Sequence, residues 1–141
     1  MGKTVFHSSI EGAQHGGKTL EEFVSFAKKA GAAGAEPSNY HIEDGKGGFK
    51  KASEILEIFE KYDLKLDGIS CHCPMWVHTT AWTNSKTIRP FLPKDIWQKS
   101  PSEIENWAED YILRFLDLSA ELNMNIIPMF WGISHGFEIA T

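Results

Sequence analysis

Short β-like runs begin near Thr4 (TVFHSS), Gly34 (GAEPS) and Leu64 (LKLDGISC), their starts about 30 residues apart, and a further run begins at Asn125 (NIIPMFW). This recurrence constrains the chain more than any other feature, because it matches the length of one strand–helix–strand unit. The intervening segments read as amphipathic helices with legible ends. The first opens on Thr19-Leu20-Glu21-Glu22, a Thr-x-x-Glu capping box. It carries Leu20, Phe23, Val24, Phe26, Ala27 and Ala30 at helical spacing and stops at Gly31. The second presents Phe49, Ala52, Ile55, Leu56 and Phe59 on one face and ends at Lys61-Tyr62-Asp63. In the third, Ser100 caps, Pro101 takes the first helical position and Glu103 completes the box. Trp107, Tyr111, Leu113, Phe115, Leu118 and Leu122 supply its apolar residues.

Strands alternating with helices at this period imply a parallel sheet. Nucleotide-fold signatures are missing: no Gly-x-Gly-x-x-Gly follows a strand, and Gly45-Lys46-Gly47-Gly48 lacks the rest of a P-loop. A (β/α) barrel is the better expectation. The four runs cannot close a barrel, which takes eight strands. The expected architecture is therefore α/β, the N-terminal half of a (β/α)8 TIM barrel. It has four parallel strands, three helices and a long lid after the third strand, all in one partial domain over residues 1–141. The remainder would come from elsewhere in a longer chain, a second copy or a partner. The alternative is a compact four-stranded α/β sandwich.

Composition narrows the function classes. The net charge is -5 and the lysines are scattered, so the basic stripe that phosphate backbones require is absent and nucleic acid is not an expected partner. The longest apolar stretch, Ile126 to Trp131, falls far below the roughly 20 residues of a membrane span. The N-terminus lacks a charged-then-apolar export signal, and Phe6 spoils a myristoylation motif that wants Ser or Thr. Two cysteines one residue apart build no disulfide framework. A cytoplasmic protein with no membrane partner is expected.

In a barrel the active site forms at the C-terminal ends of the strands and in the loops after them. Strand alternation places Leu66, Gly68, Ser70 and His72 on one face of the third strand, with Asp67, Ile69, Cys71 and Cys73 on the other. The cysteine pair supplies two ligands where a structural zinc wants four, so Cys71 and Cys73 read as buried packing residues. His72 is expected to point into the barrel mouth. Glu36 ends the second strand before Pro37, where a carboxylate is costly unless paired or wet. His7 is expected at the end of the first strand. The connection over about residues 75–100 holds Trp76, His78, Trp82, Phe91 and Trp97, and its length and aromatic content point to a lid. Aromatic faces bury sugar rings while polar edges hydrogen bond, so a small carbohydrate is the expected ligand. Trp82 and Trp97 read instead as packing residues. The fourth run ends at Trp131-Gly132, and His135 and Glu138 beyond it read as ordinary loop residues. Candidate substrate-binding residues are therefore Glu36, His72, Trp76, His78, Trp131 and His7, with no catalytic residue and no metal ligand assigned.

With these residues assembled, the chain resembles the N-terminal half of the sugar phosphate isomerase/epimerase family, the xylose-isomerase-like barrels. The likeness rests on the Leu20-Glu21-Glu22-Phe23-Val24 helix, on Gly34-Ala35-Glu36, and on Leu64-Lys65-Leu66 leading to Ile69-Ser70-x-His72. It extends through Ile88-Arg89-Pro90-Phe91-Leu92-Pro93 with Trp97 to the strand before Trp131-Gly132, and so covers nearly the whole chain. Pro37 departs from the pattern, which has an aliphatic residue there. The resemblance implies a divalent metal (manganese, magnesium, cobalt or zinc) held by glutamates, an aspartate and a histidine from the later strands of the complete barrel. It implies isomerisation or epimerisation of a sugar, cyclitol or sugar phosphate by proton transfer next to a carbonyl. This half would supply the pocket residues Glu36 and His72 and the lid. Without the rest of the barrel it is expected to be inactive and to bind no metal, with a second copy or another chain as completing partner. Two alternatives remain: a non-catalytic assembly or binding subunit, and a dehydratase of the same superfamily.

Overall fold

A computed structural model describes residues 9–12, 19–71 and 93–129. The described elements are β1 (Ser9–Glu11), α1 (Leu20–Lys29), β2 (Gly34–Glu36), α2 (Asn39–Ile42), α3 (Ala52–Lys61), β3 (Lys65–Leu66) and α4 (Pro101–Glu121). The three strands form one parallel sheet in the order β1-β2-β3. The chain divides into two compact units, one of residues Met1–Ser70 with Leu118–Pro128, the other of Cys71–Asp117 with Met129–Thr141.

The first unit contains the sheet. Helix α1 packs on β2 and on α3, and α3 packs on β3. Leu20, Phe23, Val24 and Ala27 of α1 and Ile55 and Phe59 of α3 bury the apolar stripes expected of them, and Ala35 of β2 and Ile69 after β3 are fully buried as well. Phe26 and Leu56, read as stripe members, lie 37% and 40% exposed. They sit at the edges of their stripes, where the helix surface turns towards solvent.

The helix ends follow the capping chemistry in the sequence. Thr19 Oγ1 accepts from the Glu22 N–H, and the Glu22 carboxylate accepts from the Thr19 N–H at 2.8 Å. Helix α1 ends in a Schellman motif: Ala32 N–H reaches the Ala27 carbonyl and Gly31 N–H the Lys28 carbonyl, with Gly31 at φ +81°. The same double bond closes α3 through Asp63 (φ 46°) and α4 through Asn123 (φ 56°). Asp63 in the left-handed conformation is tied down by Lys28, whose Nζ donates to its carbonyl and to its carboxylate.

In the second unit Ser100 and Glu103 form the expected capping box at the start of α4. Ile96, Ile104, Ala108, Tyr111 and Phe115 are buried, and the Trp107 and Tyr111 rings stand 5.4 Å apart. Leu113, expected among the apolar residues of this helix, is 54% exposed. A single parallel bridge joins Cys71 to Met129. This is what the described residues contain of the expected fourth strand.

Two features of the sheet bear on the site. The first strand is described at Ser9–Glu11, residues 4–8 of the expected run lying outside the described residues, and its register sets Glu11 level with Glu36. The second feature differs from expectation and is a one-residue slip in the β2–β3 register. Gly34 and Ala35 pair with Lys65 and Leu66, whereas Ser38 bridges to Ser70, one position further along. One extra residue on the third strand produces a bulge. The unbroken alternation from Leu66 to Ser70 that the sequence implies is therefore interrupted, because a single inserted residue reverses the facing of everything after it.

Candidate functional site

Of the expected site residues, Glu36 lies within the described residues. His7, His72, Trp76, His78 and Trp131 lie outside them, as do Cys73, His135, Glu138 and most of the expected lid. Trp97 is described, half-buried beside buried Ile96 in a run of turns from Pro93 to Lys99. Cys71 is fully buried, as its packing role requires.

Glu36 is the last residue of β2. Pro37 interrupts the ladder towards β3, because it has no N–H to donate there. The backbone on either side stays paired nonetheless. Gly12 N–H donates to the Glu36 carbonyl at 2.7 Å, and Ser70 N–H donates to the Pro37 carbonyl at 3.0 Å. Asn39 N–H then donates to the Ser70 carbonyl at 2.8 Å. The half-buried Glu36 side chain lies against Gly68, where an added Cβ would stand 3.6 Å from Oε2.

Just after Glu36 in the chain, the sequence reading missed a buried polar cluster. Ser38, Asn39, His41 and Ser70 are all 2% exposed or less. The single turn of α2 begins after Ser38, and the His41 N–H returns to the Ser38 carbonyl at 3.0 Å. His41 Nδ1 accepts from the Ser38 N–H at 3.2 Å and stands 3.0 Å from Ser38 Oγ. Its ring stacks at 4.7 Å on Phe23 of α1. Gly12 belongs to the same cluster: a Cβ there would fall 3.0 Å from His41 Cε1, 3.1 Å from the Glu36 carbonyl oxygen and 3.1 Å from Pro37 Cα. Ser38-x-x-His41 has the spacing of a capping box with histidine in place of glutamate, and that was the signal available in the sequence.

The geometry offers a rim at the C-terminal end of a parallel sheet. It carries the half-buried carboxylates of Glu36 and Asp67, the latter paired with Lys65, with Gly68 against the Glu36 carboxylate and Gly12 bonded to the Glu36 backbone. Such a carboxylate can accept hydrogen bonds from hydroxyl groups of a small polar ligand. Among the described residues no group of three or more His, Cys, Asp or Glu side chains is placed to hold a metal ion, and no helix is long and apolar enough to cross a membrane. Comparison with protein-family models and with curated proteins gives no match.

Proposed function

We propose that the chain forms the substrate-pocket side of a (β/α)8 barrel that acts on a sugar, cyclitol or sugar phosphate in isomerase or epimerase chemistry. The observation that carries this reading is the position of Glu36. It ends the middle strand of a parallel sheet, with its carboxylate half-buried and its backbone locked from both sides. The consecutive order β1-β2-β3 supports the reading, since a singly wound barrel requires it. In such a barrel the Glu36 carboxylate would accept hydrogen bonds from substrate hydroxyls and hold the ring in one orientation. His72 and the aromatic residues Trp76 and Trp131 are assigned to the same pocket.

The test is ligand-observed NMR on the full chain against a panel of pentoses, hexoses, inositols and their phosphates. At least one of these is expected to bind, and Glu36→Gln, which keeps the shape and removes the charge, is expected to weaken that binding about tenfold, as for loss of one charge-assisted hydrogen bond. A panel with no binder, or equal binding by Glu36→Gln, would refute the assignment.

A further inference from the structure

The N–H of Ser38 marks the place where β1 and β2 part. In a parallel ladder, once Gly12 N–H has bonded to the Glu36 carbonyl, the next rung runs from the N–H of residue 38 back to the carbonyl of residue 12. Here that N–H is accepted by Nδ1 of His41 instead. The imidazole lies against Gly12, a position where a Cβ would stand 3.0 Å from its Cε1, and it is backed by the Phe23 ring. A backbone N–H can only donate, so Nδ1 is the accepting nitrogen and the ring hydrogen is on Nε2.

We propose that His41 is the positioning residue of the Glu36 site: as the Nε2–H tautomer it replaces the next backbone rung between β1 and β2. The pairing therefore ends at Glu36, and its carboxyl is held at the rim. One side chain thus touches both backbone neighbours of Glu36: Ser38, whose N–H it accepts, and Gly12, whose N–H donates to the Glu36 carbonyl. The functional sense of this arrangement rests on the reading of Glu36 as a pocket residue. The arrangement itself is tested without any ligand.

Long-range 1H–15N NMR of the full chain is expected to show a hydrogen on Nε2 and none on Nδ1 of His41. In His41→Ala, amide hydrogen exchange is expected to rise about tenfold or more at both Ser38 and Gly12. The Glu36 carboxyl 13C resonance is expected to move, while the Asp67 amide, bonded to Ala35 on the far side of β2, keeps its protection. A helix cap with only local effect would change Ser38 and leave Gly12 and the Glu36 resonance alone. His41→Gln supplies an acceptor at capping-box spacing without the ring, so protection should return at Ser38 and not at Gly12. A hydrogen on Nδ1 overturns the proposal, as does unchanged exchange at Gly12 together with an unmoved Glu36 resonance. If His41→Ala does not fold, the wild-type tautomer and His41→Gln decide the matter. Absence of carbohydrate binding with these results intact overturns the pocket reading alone.

Discussion

Substituting Gly12 by alanine tests the packing of the rim most directly. The added Cβ would fall at 3.0–3.1 Å from His41 Cε1, the Glu36 carbonyl oxygen and Pro37 Cα. Two of those three atoms are backbone, one in a proline whose ring fixes φ, so they cannot swing aside as a flexible side chain would. Relief requires the strand end to shift by a few tenths of an ångström, and the Gly12–Glu36 hydrogen bond of 2.7 Å lies in the path of that shift. Overpacking of this kind costs about 1–3 kcal/mol. Against it, replacing glycine reduces the freedom of the unfolded chain and returns about 0.4–1 kcal/mol. The middle of these ranges is a loss of about 1.3 kcal/mol, or roughly 4 °C in Tm for a chain of this size. Urea and thermal unfolding followed by tryptophan fluorescence would measure it. A variant as stable as the parent would show that the strand end yields freely, and the reasoning about tight packing of Gly12 against the Glu36 backbone would be refuted.

Thr19→Ala and Ser100→Ala each remove the capping oxygen of a helix with both halves of its box in place, and about 1 kcal/mol should be lost in each case by urea unfolding. Phe23→Ala empties a fully buried site on α1 and should cost about 3–5 kcal/mol, whereas Phe26→Ala, on the exposed edge of the same helix, should cost less than about 1 kcal/mol. Equal losses would mean that the stripe is misassigned. Three exposed carboxylates are held below their ordinary range: Glu21 by hydrogen bonds from Lys61 and Tyr62, Asp44 by the N–H groups of Lys46 and Gly48, and Glu103 by the N–H and hydroxyl of Ser100. A carboxyl that is more acidic folded than unfolded adds stability above its unfolded pKa and loses it as pH falls through the folded one. Unfolding free energy should therefore decline from about pH 5 downwards, and Glu21→Gln should flatten that decline. An acid slope identical in the variant would remove Glu21 from the account.

Most of the framework was readable because it depends on local chemistry. Two capping boxes and a glycine stop each need only a few neighbouring residues, and the structure forms all of them; of the strand–helix alternation the described residues contain a three-stranded parallel sheet. The Asp63 and Asn123 stops were less legible. Neither is glycine, and Asp63 is held in the left-handed conformation with help from Lys28, a contact between distant segments. Leu113 counts among the apolar residues of the third helix, yet composition alone cannot say which of them is buried, and it lies more than half exposed. Glu36 was recognised from its place before Pro37, which is a local fact.

The residues around Glu36 were not recognised, for a reason that also separates the two kinds of information in this protein. Amino-acid order determined where helices begin, where strands stop and which carboxylate ends the middle strand, since each follows from propensity, capping and the missing proline N–H. Only the tertiary structure decided that a Cβ on Gly12 would crowd His41 and the Glu36–Pro37 backbone, that His41 takes the N–H of a strand rung, and that the third strand gains one residue of register before Ser70. Those outcomes depend on which atoms of distant segments come within about 3–4 Å of each other, and such distances are set by packing after the chain has folded.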